Sequence, residues 1–109
     1  MKKLLWLDDM RDPFLNIEKK VPNDFEYEIN WVVNFDGFVE YINKNGLPDV
    51  ISFDHDLGED KTGMDCAKWL VEYLLDNKKE LPRFFIHSSN PPGSLNIRSL
   101  LNNFSEFSL

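Results

Sequence analysis

Short apolar blocks alternate with polar ones along the chain, and they predict strands and helices by turns. Residues 3–7 (Lys-Leu-Leu-Trp-Leu) form an apolar run that stops at Asp8-Asp9. Residues 50–53 (Val-Ile-Ser-Phe), bounded by Pro48 and Gly58, form a second that stops at Asp54-His55-Asp56. Runs this short and this apolar fit strands buried inside a parallel sheet. Arg83-Phe84-Phe85-Ile86 predicts another, ending in His87-Ser88-Ser89-Asn90. Residues 27–33 alternate before turning apolar at Trp31-Val32-Val33, which predicts one strand more. Phe35, Phe38, Val39 and Ile42 fall on one helical face, with Gly46 beyond as its terminator. Met64, Ala67, Leu70, Val71, Leu74 and Leu75 mark the longest helix, ending near 77–79. Ile97, Leu100, Leu101 and Phe104 mark the last, which leaves 105–109 as a loosely held tail. A weaker pattern, closed by Val21-Pro22, predicts a short helix over 14–20 with Phe14 and Ile17 inward.

Strands alternating with helices imply right-handed crossovers and a parallel sheet with helices on both faces. A length of 109 residues predicts one domain, 1–109, large enough for a real core. Hydrophobic content of 42%, with three Trp and nine Phe, excludes a disordered chain. No apolar run approaches membrane-spanning length, and the apolar start is too short for a secretory signal. The single cysteine, Cys66, has no partner for an internal disulfide, so a cytoplasmic setting is expected. Its place within a helical pattern makes it a packing residue rather than a nucleophile. The net charge of −7 excludes the broad basic face of a nucleic-acid binder. If a phosphate is handled here, the expected substrate is small, or only the end of a longer strand enters, with neither an extended nucleic-acid groove nor a membrane surface. A divalent cation would supply the missing positive charge. The sequence carries no signal for oligomeric state.

Three of the strands finish in residues capable of chemistry, where an open α/β sheet binds its ligands. Three consecutive ionisable side chains beside a core need a partner, most simply a cation. The competing reading is an Asp-rich loop that only caps local backbone. Asp8, Asp9 and Asp54 are the candidate ligands for Mg²⁺ or Mn²⁺, because hard oxygen donors suit hard cations. The only two histidines, His55 and His87, titrate near neutrality. They are the candidate acid–base pair, expected to face one another across a shared hollow, with Asp54 as the third catalytic candidate. Arg11 either grips a phosphate through its planar fork or forms a salt bridge to Asp8, Asp9 or Asp12. Ser88, Ser89 and Asn90, with backbone N–H groups near Gly93-Ser94, are candidates for an anion cradle. Ser94 also suits a plain helix N-cap. Asp56 and Asp65 stay between roles, Asp65 favouring a helix macrodipole in either case.

A strand ending in Asp-Asp and a later one ending in Asp resemble the acidic pocket of two-component receiver domains. There such a triad holds magnesium and the last Asp accepts a phosphoryl group; the matching positions are Asp8, Asp9 and Asp54. The chain departs from that pattern at His87-Ser88, where a receiver has Thr or Ser. It also has no lysine after Lys79, whereas a receiver carries an essential Lys after a fifth strand. Four segments are more specifically similar to the cyclic-phosphate processing receiver-like domains. They are L-W-L-D-D-M-R-D-P (5–13), I-S-F-D-H-D-L-G (51–58), T-G-M-D-C-A-K-W-L (62–70) and H-S-S-N-P-P-G-S-L-N-I (87–97). The resemblance implies a flavodoxin-like three-layer sandwich with a short, mostly parallel sheet of order 2-1-3-4 and no fifth strand. It also implies binding or opening of 2′,3′-type cyclic phosphates, on nucleotides or RNA ends, in bacteria and their phages. Two other classes stay open: a degenerate receiver switched by phosphorylation of Asp54, and a module that sequesters a nucleotide without turnover.

Overall fold

The computed structural model describes residues 1–14 and 26–107. Four parallel strands, β1 (Lys2–Leu7), β2 (Tyr27–Val32), β3 (Val50–Phe53) and β4 (Arg83–Ile86), form one sheet in the order β2-β1-β3-β4. Three helices accompany them, α1 (Phe35–Asn45), α2 (Gly63–Asn77) and α3 (Pro91–Phe107). The order is the expected one. The central strands carry the apolar load: all of β3 and the last four residues of β1 are buried, whereas β2 and β4 at the edges are at most half-buried.

Strand side chains alternate between faces, which sorts the core into two clusters. Leu5, Leu7, Ile51 and Phe53 point one way and meet Phe38 and Ile42 of α1, Leu70 and Leu74 of α2, and Ile97 and Leu101 of α3. The crossovers β2-α1-β3 and β3-α2-β4 step the same way across the sheet, so right-handedness sends both helices to that face. The other face carries Leu4, Trp6 and Val50, packed with Tyr27, Ile29 and Phe85. The short helix expected over 14–20, with Ile17, falls largely on residues outside those described. Phe14 is described, and it is 70% exposed rather than turned inward.

Helix ends follow local chemistry. The Asn34 side chain accepts from the Gly37 N–H, and Gly46, at φ 81°, closes α1 by donating to the Ile42 carbonyl. Asp65 accepts from the Thr62 N–H at 2.8 Å, which makes it a capping residue of α2. The last helix starts earlier than its apolar spacing implied. Asn90 caps it through Oδ1 to the Gly93 N–H at 3.0 Å, and Pro91 occupies the first helical position, where its missing N–H costs nothing. Ser94 therefore lies inside the helix, and the expected tail is helical as far as Phe107. Leu75, placed on the apolar face of α2 by its spacing, is exposed. No helix among the described residues is long and apolar enough to cross a membrane.

Candidate metal and phosphate site

The ladder of the sheet runs one residue past the strands, with Asp54 N–H donating to the Leu7 carbonyl and His87 N–H to the Phe53 carbonyl. Extending the alternation by that residue puts Asp8, Asp54 and His87 in one row across three neighbouring strands, on the face of Trp6 and Ser52. Asp9 follows on the loop. Asp8, Asp9 and Asp54 each present a ligand atom, all within 4.8 Å of one another. Asp8, Asp9 and Asp54, together with Met10, Arg11, Asp56, Gly58 and Ser89, line a hollow of about 310 Å³ at the carboxyl ends of the strands.

The charge here is concentrated, and Asp8 and Asp54 are buried. Burial first, then the Asp8 carboxylate, push Asp54 up to about 6, against the His55 N–H and Arg11, which favour its ionised form. Like charges held together in this way are what a hard cation relieves, and an ionised carboxylate offers about four lone-pair sites. Asp8 keeps capacity of that kind. Its Oδ1 accepts from the Met10 and Arg11 N–H groups, both at 2.8 Å, and its Oδ2 faces His87 Nε2 at 3.0 Å. The donor set thus fits Mg²⁺ or Mn²⁺ held by Asp8, Asp9 and Asp54.

The two imidazoles do not face one another. His87 lies on the Trp6 face, its ring stacked on the indole at 3.9 Å between centroids and 8° from parallel. Its side chain is 0% exposed, and its Nδ1 stands 2.7 Å from Ser52 Oγ. A ring so enclosed has no path for direct proton exchange with a ligand in the hollow, so the expected pairing with His55 is corrected. Position 55 has the opposite parity and turns toward the helices. Its ring packs against Gly93 in the first turn of α3, and its Nδ1 stands 2.9 Å from Asp56 Oδ1. His55 keeps a 17% exposed side chain.

Of the other candidates, Arg11 and Ser89 reach the hollow. The Arg11 guanidinium donates to the His87 carbonyl and, among the described residues, closes no salt bridge with Asp8, Asp9 or Asp12. Ser88 and Asn90 are occupied locally. Ser88 Oγ accepts from the Asn90 N–H, and Asn90 Nδ2 reaches both Asp56 carboxylate oxygens at 3.3 Å. Asp56, left open by the sequence, lines the hollow, and its contact with His55 holds its carboxyl below the usual range. Burial pushes the Cys66 thiol up to about 12, in keeping with packing rather than chemistry. Trp6, Ser52, Met10 and Gly58 are contributors that the motifs did not single out. Strand parity held the signal for Ser52, an isolated hydroxyl in an apolar strand two residues before Asp54.

Fold and pocket together define a receiver-type domain: a parallel 2-1-3-4 sheet with clustered acids at its carboxyl rim. Residues 3–103 match the family described as the cyclic-phosphate processing receiver domain, and the chain belongs to that family. Among solved structures it is similar to the N-terminal domain of a response regulator/sensory box/GGDEF three-domain protein from Carboxydothermus hydrogenoformans. That match has a TM-score of 0.59 and 23% identity, and covers 98% of this chain and 93% of the other. It is also similar to a fusion carrying amino acids 181–211 of the yeast Spc42 trimeric coiled coil. There the TM-score is 0.61 and the identity 23%, over 98% of this chain and 74% of the fusion. At these identities the structures speak for the fold alone. No curated protein matches the sequence.

Proposed function

We propose that this domain takes a small cyclic phosphate ester, on a nucleotide or an RNA end, at a divalent cation held by Asp8, Asp9 and Asp54, and opens the ring with water. The observation that carries the reading is the convergence of those three carboxylates under a hollow whose lining also brings Arg11. Bound there, Mg²⁺ or Mn²⁺ supplies positive charge for the non-bridging phosphate oxygens. Arg11 adds a planar donor fork from the side. Ring opening forms a bond from water oxygen to phosphorus and breaks the bond from phosphorus to one ring oxygen, which leaves as a hydroxyl. One proton therefore moves from the water to the leaving oxygen. His55 is the imidazole with solvent access, and Asp56, an acceptor beside its Nδ1, orients the ring so that Nε2 is the atom to take that proton and return it.

Incubation with 2′,3′-cyclic mononucleotides, with and without Mn²⁺, tests this by chromatography of the products. Cation-dependent opening should fall by about 100-fold or more in His55→Ala, the usual weight of a general acid–base group. Opening that is indifferent to His55 would remove the imidazole from the mechanism. Tight binding without product would favour sequestration, and a mass gain on Asp54 after acetyl phosphate would favour the switch.

The rim adds a preference for a base-bearing ligand. Met10, 81% exposed, lines the hollow, and Trp31, 42% exposed, donates its indole N–H to the Asp8 carbonyl at 2.7 Å. That bond anchors a part-exposed indole at the Asp8 backbone, next to the residues that line the hollow. Stacking of a base is worth about 1–3 kcal/mol. Trp31→Ala should therefore weaken a cyclic mononucleotide by roughly 5- to 100-fold and leave a base-free cyclic phosphate such as glycerol cyclic phosphate unchanged, as read by calorimetry.

A further inference from the structure

We propose that Ser52 and His87 are positioning residues for the cation site, a buried relay that sets the orientation of the Asp8 carboxylate. The proposal rests on the cation reading above and extends it to two residues that do not themselves line the hollow. Ser52 and the His87 side chain are both 0% exposed. Ser52 Oγ lies 2.7 Å from His87 Nδ1, and His87 Nε2 lies 3.0 Å from Asp8 Oδ2. A carboxylate only accepts, so a proton on Nε2 points at Asp8, while Nδ1 and the Ser52 hydroxyl lie within hydrogen-bond distance of one another. This order of serine, histidine and aspartate matches a hydrolytic triad in residue types alone. Its hydroxyl is buried inside the sheet, and the contact the row makes toward the hollow is with Asp8.

The surroundings close the circuit. Trp6 stacks on the His87 ring and donates its indole N–H to the Arg11 carbonyl at 3.0 Å. Arg11 returns a bond from its guanidinium to the His87 carbonyl, while its own N–H and that of Met10 hold Asp8 Oδ1. Asp8 is thereby fixed at both oxygens. Oδ1 is held by the loop that follows β1, and Oδ2 by the imidazole from β4. A ligand already turned to its working angle loses less freedom when a cation arrives, and groups that orient a ligand typically change metal affinity by about 10- to 100-fold.

The test is a Mn²⁺ titration of the intact protein, with free ion counted by its electron paramagnetic resonance signal. Ser52→Ala, which frees the ring to turn, should bind Mn²⁺ about tenfold more weakly, and His87→Gln at least as weakly. Val50→Ala is the control for a merely structural effect. It opens space on the same face of the same strand, so it should lower the melting temperature while keeping the affinity of the unaltered protein. If His87→Gln does not fold, Ser52→Ala against Val50→Ala decides alone. Equal affinity in Ser52→Ala, or an equal loss in Val50→Ala, overturns the relay and leaves the cation site standing. Absence of Mn²⁺ binding by the unaltered protein overturns both.

Discussion

Asp54→Asn should weaken divalent-cation binding by upward of about 100-fold and, in the absence of cation, make the protein more stable. The two effects share one cause. Asp54 is pushed from the ordinary 3.8 to about 6 by burial and by the Asp8 charge, so its ionised form is a burden on the folded state. Between pH 4 and 6 the folded chain holds a proton that the unfolded chain has lost. Stability therefore falls as pH rises through that window, and the full penalty persists above it. Asparagine keeps an oxygen to accept the His55 N–H, which Asp54 Oδ1 now takes at 2.9 Å, and brings no charge. Discounted for solvent in the open hollow, the gain above pH 6 is on the order of 1 kcal/mol. That corresponds to roughly 4–8 °C in Tm for a domain of this size. Below about pH 4 it should vanish, because both proteins are then neutral at the position.

Loss of the cation is the larger effect. Groups that merely orient a ligand are worth about 10- to 100-fold, so removing one of three carboxylates should cost upward of about 100-fold in Mn²⁺ affinity. The proton on Asp54 must also leave before a cation enters. Affinity of the unaltered protein should thus fall below pH 6 and binding there should release a proton. Calorimetry at pH 5 and pH 7 reads both. A substitution that lowered cation-free stability at pH 7 would show that the acids hold the fold together and are not kept for a ligand.

The row of acids was legible from sequence because it rests on a simple rule: apolar strands in a parallel sheet end at a common rim, and Asp8, Asp9 and Asp54 each follow such a run. The sheet order came from family likeness, and the register bears it out. The histidines were misread for a reason equally physical. Both follow strands, but His87 aligns with Asp54, and His55 lies one residue further along. One residue in an extended chain is a change of face. Register decides that offset, and register is set by contacts between strands far apart in sequence. The start of α3 was hidden for another reason. Apolar spacing locates a helix's buried face, while its first turn is set by a cap, and Asn90-Pro91 carries no apolar mark.

Two glycines separate what holds the fold from what places His55. A Cβ added at Gly63 would lie 1.9 Å from the Asp54 carbonyl oxygen and 3.0 Å from His55 Cα. Both are backbone, tied to the central strand, and Gly63 N–H donates to the His55 carbonyl at 2.7 Å. Nothing there can swing aside, so Gly63→Ala must lift the start of α2 off the sheet. The expected loss is about 3 kcal/mol or more, at the upper end for overpacking, with a Tm lower by roughly 12 °C or more. At Gly93 the added Cβ would meet the His55 ring at 2.4 Å. A ring on a rotatable bond can leave, at the cost of its contacts with Asp56 and Gly93. Gly93→Ala should therefore keep a cooperative melt and most of the Mn²⁺ affinity, while ring opening falls nearly as far as in His55→Ala. Thermal melting, Mn²⁺ titration and turnover on the two variants measure the contrast. If Gly93→Ala kept full turnover, the packed position of His55 against α3 would have no part in the chemistry.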